Sequence, residues 1–550
     1  MKLHKIIFTT FIVLLTIISC SQNNSTNDID TTIADNVQVY ENDSLSNIKE
    51  VYITVLEPKK NDKKYNYTLH DLNTYYDNEI LEDEPELKVI FQEGRNGVID
   101  KDDFGFGLSD SNGIMELRGQ SSRIADLKSY KIKLNSKTPW DGFETVNLNK
   151  HPFDDLRIRN KITFELIKEI DNITSARTQF VHLYVRDYSE GNYSNNFVDY
   201  GLFTHIENID REYLDNHDLD KNGYLYKVEN FEFKRYEDIL LDVDDTDYDE
   251  DEFENILEIK GVDDHKKILK MLDAVNNDRI NINEVIDTYF DRENFVTWLA
   301  LNIITDNVDT QSRNYFLYSP LDSETWYFLP WDYDKGLGGY SNTRPIWTRG
   351  VSNYWGIILV NRFLKNENNL IELTNKVDEL YNDLDQEKID NLVDLYKPIA
   401  KYYLNRYPDN LINDLTNEEI DAEFELLRNS ITTNKNEYYK SLERPMPVFL
   451  NSPYVTGNFI EFDWSDSYDF MNDDFYYSFE LSDKPDFSTI IYQEDKMYNN
   501  ELIIKRLPPG KYFYRVIVTN SKGNHTDAFD IYLDDETLTY YYGVKQFVVI

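Results

Sequence analysis

The chain has 550 residues, too many for one ordinary domain, so two or more are expected. Its 57 Lys and Arg against 101 Asp and Glu give a formal charge of −44, which argues against a general nucleic-acid binder because phosphate backbones would be repelled. The single cysteine, Cys20, excludes intrachain disulfides and a cysteine-built metal site, while 41% hydrophobic and 14% aromatic residues suffice for sizeable cores.

Met1-Lys2-Leu3-His4-Lys5 is a short basic head, and residues 6–18 form an apolar run too short to span a bilayer comfortably. The run ends Ile17-Ile18-Ser19-Cys20, which resembles a bacterial lipobox. Residues 1–19 are therefore expected to be a lipoprotein signal peptide and Cys20 the lipidated residue. That would place the protein in the cell envelope, membrane-anchored and facing outside the cytoplasm. A plain secretory signal with a chance cysteine is the alternative. Residues 20–48, rich in Ser, Asn and Thr, read as a disordered tether.

From about Val51 the pattern changes. β-branched and alternating runs predict strands at 51–55, 87–91, 113–119, 130–134, 181–185 and 200–207. In the fourth, Tyr130, Ile132 and Leu134 alternate with Lys131 and Lys133, so both lysines point the same way. The spacing predicts a helix over 154–170, with Leu156, Ile158, Ile162, Leu166 and Ile170 on one broad face. Residues 240–258 carry an acidic patch expected to be a solvated loop. Asp218-Leu219-Asp220-Lys221-Asn222-Gly223 through Glu229 fits a twelve-residue Ca²⁺ loop, with Asp218, Asp220, Asn222 and Glu229 as candidate ligands. A turn before a strand explains Asn222-Gly223 equally well. A further helix is predicted over 292–304, and helices over 367–406 and 417–442.

The most informative stretch is 307–338. Tyr315-Phe316-Leu317-Tyr318 and Trp326-Tyr327-Phe328-Leu329-Pro330-Trp331, separated by the polar residues 319–324, predict a β-hairpin. Asp309 and Asn314 lead into it; Asp332 and Asp334 leave it. An oxygen-only set on a rigid frame suits Mg²⁺ or another hard cation. The Asp-x-x-x-x-Asn spacing from Asp309 to Asn314 is also that of a protein-kinase catalytic loop. Asp and Asn capping ordinary turns is the competing explanation. From about Pro445, short alternating strands with turn signals near ten-residue spacing predict a β-sandwich. An early Trp464 and the Gly510-Lys511-Tyr512-Phe513-Tyr514-Arg515-Val516 strand resemble a fibronectin type III domain.

Taken in order, Arg118-Gly119-Gln120-Ser121-Ser122-Arg123, the 128–134 strand, Leu156-Arg157-Ile158-Arg159-Asn160, Gly201-Leu202-Phe203 leading to Glu207, Gly223-Tyr224-Leu225-Tyr226-Lys227, Asn307 to Tyr315 and Pro330-Trp331-Asp332-Tyr333-Asp334 resemble the spore-coat-protein-H (CotH) kinase family. The resemblance implies an α+β, atypical bilobal protein-kinase-like fold over residues 49–443, followed by an all-β immunoglobulin or fibronectin III-like sandwich over 445–550. It implies a lipid-anchored enzyme that transfers phosphate from ATP to Ser or Thr of surface or secreted proteins, with Mg²⁺ or Mn²⁺. Asp309 would be the catalytic residue, with Asn314 and Asp332 holding metal and Asp334 a second ligand. Lys131 or Lys133 would reach the phosphates, with Lys128 and Arg118 as alternatives, and Glu207 falls among the nucleotide-binding residues. Glu165 and Glu169 are candidates to pair with the lysine. Departures are clear: Asn307-Val308 replaces the His-Arg of ordinary kinases, and Gly105-Phe106-Gly107 is only a fragment of a glycine-rich loop, so the 118–122 loop is the candidate cover for the phosphates. The rival expectations are a catalytically silent adhesion scaffold and a carbohydrate-active surface protein.

Overall fold

The computed structural model describes residues 33–58, 64–76, 84–135, 137–191, 194–339, 344–345 and 348–550. Residues 1–19, expected to be a signal peptide, and Cys20 lie outside the described residues. Among the described residues no helix is long and apolar enough to cross a membrane. Residues 33–48 do not form the free tether expected of them. Ile33 is buried in the main core, and the 3-10 turn Val37–Tyr40 follows Asp35, whose carboxylate lies 2.6 Å from His217 Nδ1. Polar residues that look disordered in sequence here find buried partners.

Seven strands close into a barrel: β1 (Ile48–Val55), β2 (Leu87–Gly94), β3 (Gly113–Leu117), β4 (Tyr130–Leu134), β5 (Thr145–Asn149), β6 (Thr178–Asp187) and β7 (Val198–Ile206). The order is β1-β2-β3-β4-β5-β7-β6, shut by a parallel pairing of β6 with β1. Alternation fills the interior: Val51, Ile53, Val89, Phe91, Ile132, Val146 and Leu183 are all fully buried. Lys131 and Lys133 point outward together, as the sequence predicted.

The helix predicted over 154–170 is shorter, Arg159–Ile167. Asp154 accepts from the backbone N–H of Leu156 (3.0 Å) and of Arg159 (2.8 Å), and Arg157 takes φ 63°, so 154–158 is a turn that caps the helix. Every residue of the helix is buried, with Arg159 held by Asp154 and Glu423 and Lys161 by Glu165.

A second, antiparallel sheet has the order β11-β10-β8-β9, with β8 (Tyr224–Val228), β9 (Leu257–Ile259), β10 (Tyr315–Ser319) and β11 (Tyr327–Pro330). The predicted hairpin is β10–β11, in the register Tyr315↔Pro330 to Tyr318↔Tyr327. Helices Arg292–Thr305, Glu367–Asp383, Gln386–Leu404 and Asn417–Leu442 pack with this sheet into one core that also takes in the helix Arg159–Ile167. Part of the acidic patch is not loop: Glu250–Glu254 is a helix and β9 follows, because Phe253 and Leu257 reach the core.

Beyond residue 450 the chain is all β. A three-stranded sheet (Tyr454–Thr456, Phe459–Asp463, Glu501–Lys505) faces a larger one built on Phe475–Ser482 and Gly510–Asn520. Trp464, Tyr514, Val516 and Val518 form its core. The molecule is thus a mixed α+β body with a large sheet region and a C-terminal all-β region.

Candidate functional site

The hairpin brings Asp309, Asn314, Asp332 and Asp334 to one end, because Tyr315 sits opposite Pro330. Asp309 lies in the 3-10 turn Val308–Gln311 that follows the buried helix Arg292–Thr305, so a rigid element aims it. Asn314 (φ 62°) and Asp332 (φ 56°) both take left-handed backbone, one on each side of the hairpin mouth. Side-chain hydrogen bonds fix the turn between them. Asn160 Nδ2 donates to Asp332 Oδ1 (3.2 Å), the Tyr333 N–H donates to Asn160 Oδ1 (3.0 Å), and Asn307 Nδ2 donates to the Asp332 carbonyl (3.1 Å).

The three carboxylates disfavour one another's charge. Burial raises the Asp309 carboxyl and Asp332 raises it further, against Arg313, Lys335 and Arg344. Burial raises Asp332, opposed by Arg118 and Lys227. Asp334 is raised well above the usual range by burial and then by Asp332, Asp154 and Asp309. No hydrogen bond to the Asp309 carboxylate or to the side-chain amide of Asn314 occurs among the described residues. Carboxylates that repel one another and keep free oxygens are what a bound cation would relieve. Among the described residues no group of three or more His, Cys, Asp or Glu makes a ready-built metal cage. Mg²⁺ commonly takes only one or two carboxylates and completes its shell with water and phosphate, so Asp332, Asp334 and Asn314 fit that donor set.

A cleft opens beside this mouth, lined by the 118–122 loop, Ser129, Asn149, His151, Asn160, Trp331, Asp332 and Asp334. The loop needs Gly119, which takes φ 89° and where a Cβ would strike Ser122 Oγ. The Arg118 guanidinium lies 5.4 Å from the Trp331 ring and donates to Asn149 Oδ1. Loss of water pushes Arg118 down to about 10, with Asp332 and Asp334 pulling the other way, so it stays cationic at neutral pH. His151 is buried, with Nδ1 4.0 Å from Asp334, and burial pushes it down to about 4, leaving it neutral.

The other sequence candidates fall elsewhere. Lys131 (3.5 Å) and Lys133 (3.0 Å) both pair with Glu116 of β3, and Lys131 also feels Lys260 and Arg118. Lys128 is buried and donates to the Arg123 carbonyl (2.7 Å), so it shapes the loop from behind. Glu165 is taken by Lys161 (2.9 Å) and Lys168 (3.1 Å), and Glu169 lies 3.5 Å from Lys388, so neither pairs with a lysine of β4.

Glu207 is not a free nucleotide contact. Its carboxylate is held by Arg177 (2.6 Å) and His217 (3.2 Å), which outweigh burial and keep it down at about 2. The calcium-loop expectation also fails. Glu229 follows β8, and a strand rising about 3.3 Å per residue carries it far from Asp218, Asp220 and Asn222. Asp220 instead accepts from the N–H groups of Asn222 (3.0 Å) and Leu321 (3.0 Å), while Asn222 accepts from Arg211 (2.7 Å). Glu229 accepts from Gln120 (2.9 Å) and from Lys227. It therefore latches the 118–122 loop to the second sheet.

Sequence reasoning missed Asn160, His151 and Lys227 as parts of the site. In the sequence Asn160 stands out only as the last residue of the family-like stretch 156–160, and its burial inside a helix (2% exposed) is visible only in the fold.

Residues 115–438 match the family described as CotH kinase protein, more than half of the chain. The chain is also similar to the inner spore coat protein H of Bacillus subtilis (strain 168), at 24% identity over 229 residues. That match covers 40% of this chain and 58% of the relative, less than two thirds of its length.

Proposed function

The chain belongs to the CotH kinase protein family, and from that premise we propose that it is an atypical protein kinase that transfers the γ-phosphoryl group of ATP to Ser or Thr hydroxyls of surface or secreted proteins. The observation that carries this reading is the convergence of Asp309, Asn314, Asp332 and Asp334 at one hairpin mouth, beside a cleft into which Arg118 brings a cation. A strongly acidic protein has little other reason to bring together three carboxylates with raised pKa values, two of which, Asp332 and Asp334, line an open cleft.

Asp332, Asp334 and Asn314 would hold Mg²⁺ or Mn²⁺, which when bound neutralises phosphate charge. Asp309 orients the acceptor hydroxyl and takes its proton as the oxygen bonds to the γ-phosphorus and the bond to the β-phosphate oxygen breaks, releasing ADP. Its raised pKa suits a proton acceptor working nearer neutrality. Arg118, fixed against Trp331, offers positive charge to the phosphates without reorganising. The barrel and the helix-flanked second sheet serve in this reading as the two lobes of a kinase-like body. The C-terminal β region serves as a fibronectin III-like spacer, and Cys20 as the lipid anchor outside the cytoplasm.

The experiment is a thermal-shift titration with ATP and Mg²⁺ or Mn²⁺, followed by label transfer from ATP to an envelope-protein extract. Metal-dependent stabilisation and labelled protein are expected. No nucleotide binding would overturn the reading in favour of a catalytically silent surface scaffold. Two observations favour that second reading: the similar Bacillus subtilis protein is named for a coat, and neither helical glutamate pairs with a lysine of β4.

A further inference from the structure

The lysine that sequence reasoning sought for the phosphates was placed on β4 of the barrel. The second sheet holds a different cation closer to the hairpin mouth. Lys227 lies on β8, which pairs directly with β10, and Lys227 stands opposite Phe316. One residue on, the Val228 carbonyl accepts from the N–H of Asn314 (3.2 Å), so β8 is bonded to the strand entry that carries the candidate metal ligand. Directly opposed residues share a face of an antiparallel sheet, and so do residues two apart on one strand. Lys227 therefore shares a face with Phe316, Leu329 and Trp331. The rings of Phe316 and Trp331 meet at 5.6 Å, and Arg118 lies over Trp331 at 5.4 Å. Two cations, Lys227 from the sheet and Arg118 from the barrel, thus flank one aromatic floor next to Asp332.

Lys227 is also held in place. Its ammonium pairs with Glu229 and lies 3.8 Å from Glu258, and Glu229 in turn accepts from Gln120 of the cleft loop (2.9 Å). Its side chain keeps 22% of its accessible surface, enough for a ligand to reach it. Of the barrel lysines, Lys133 is turned to Glu116 on the exposed outer face and Lys128 to a backbone carbonyl. Lys131 is likewise paired with Glu116 (3.5 Å), and its strand makes no pairing with the sheet whose hairpin carries Asn314 and Asp332.

We propose that Lys227 is the phosphate-binding lysine of this site: it contacts the polyphosphate chain from the β8 side, opposite Arg118, and Glu229 with Gln120 positions it. A point charge on a flexible stem suits phosphate oxygens, and the bidentate-capable Arg118 fixes the other side. The assignment rests on the nucleotide reading above for the identity of the ligand, but the anion chemistry stands separately.

The test is calorimetric titration of the full chain and of Lys227→Met, Lys227→Arg and Lys505→Met, using Mg-ATP, adenosine and Mg-tripolyphosphate as probes. Lys227→Met keeps the apolar stem and removes the charge. Lys505→Met removes an exposed lysine of the C-terminal sheet as control. Mg-ATP affinity is expected to fall about tenfold or more in Lys227→Met, the loss of one charge-assisted hydrogen bond, to recover substantially in Lys227→Arg and to stay within twofold in Lys505→Met. Affinity within twofold of wild type in a folded Lys227→Met overturns the assignment while leaving the nucleotide reading intact. Binding of tripolyphosphate but not ATP by the wild type, lost in Lys227→Met, supports the lysine and overturns the nucleotide reading. Failure of the wild type to bind either polyphosphate overturns both.

Discussion

Asp332 and Asn314 hold left-handed backbone at φ 56° and 62°, a conformation that Asp and Asn tolerate better than other side chains do. The choice of substitution at Asp332 therefore matters: alanine would add backbone strain of about 1 kcal/mol or more to the loss of charge, while asparagine keeps the shape, the turn and a partner for Asn160. Asp332→Asn is expected to weaken Mg²⁺-dependent nucleotide binding tenfold or more and to leave the thermal midpoint equal to or above that of the metal-free wild type, since one of three mutually repelling carboxylates is gone. Unchanged metal-dependent affinity would remove Asp332 from the metal set. Asp309→Asn is expected to behave differently. Nucleotide should still bind, while label transfer falls by about 10²–10⁴-fold, the range for loss of a general base. A variant that transfers phosphate at the wild-type rate would end the base assignment. The two substitutions separate binding from chemistry within one hairpin mouth.

At the scale of elements, the hairpin was legible because aromatic runs of strand length flanked an obvious polar turn, and the pairing is local. Barrel closure was not legible. It depends on β1 pairing in parallel with β6, more than a hundred residues away, and nothing in either run specifies that partner. β5 was missed because Thr-Val-Asn-Leu-Asn carries only two apolar residues. The calcium loop misled because Asp, Asn and Gly at short spacing serve a turn before a strand as well as a metal loop, and only the direction taken by β8 separates the two. Lys227 could be quoted as part of a motif but not given its place, since that required the register of β8 on β10.

The N-terminal segment provides a test at this scale. His217 is buried between Asp35 (2.6 Å) and Glu207 (3.2 Å). Burial lowers its pKa, but the two carboxylates outweigh this and lift it to about 9. A histidine whose folded pKa exceeds its unfolded value of about 6.5 stabilises fully below that value and loses the contribution as pH rises through about 9. Lys150, lowered by burial to about 8 and only partly restored by Asp409, titrates with the opposite sign in an overlapping window. The difference between wild type and His217→Gln therefore isolates the histidine. That difference in unfolding free energy is expected to be largest near pH 6, at most about 3 kcal/mol, and to shrink between pH 7 and 9.5. A pH-independent difference would mean that His217 folds neutral.

For the whole molecule, the question is whether the C-terminal β region moves independently of the α+β body. The contacts argue that it does not. Trp355, at the end of the 3-10 turn Gly350–Tyr354, is 4% exposed and packs on Tyr468 (5.6 Å, stacked) and Phe470 (5.7 Å, edge-on). The carbonyl of Glu443, just past the last helix, accepts from the side chains of Asn520 (3.0 Å) and Asn524 (2.9 Å), and the Met446 N–H donates to Tyr468 (2.8 Å). The helix Asn417–Leu442 that feeds this junction also bonds the 3-10 turn, with Ser441 Oγ accepting from the Val351 N–H (3.1 Å). Trp355 is therefore the apolar centre of a polar-rimmed contact, and its loss should act on both sides of the junction. Trp355→Ala is expected to cost about 3–5 kcal/mol, the usual range for a buried tryptophan. In scanning calorimetry it should resolve the unfolding of the C-terminal region as a separate, earlier transition. Small-angle scattering of the variant below that transition should show a broader distribution of distances than wild type, because the polar contacts to Glu443 alone leave rotation about the junction open. If the variant instead unfolds in the same number of steps as wild type with an unchanged distance distribution, the asparagine and backbone contacts hold the junction and the tryptophan serves only the body's own core.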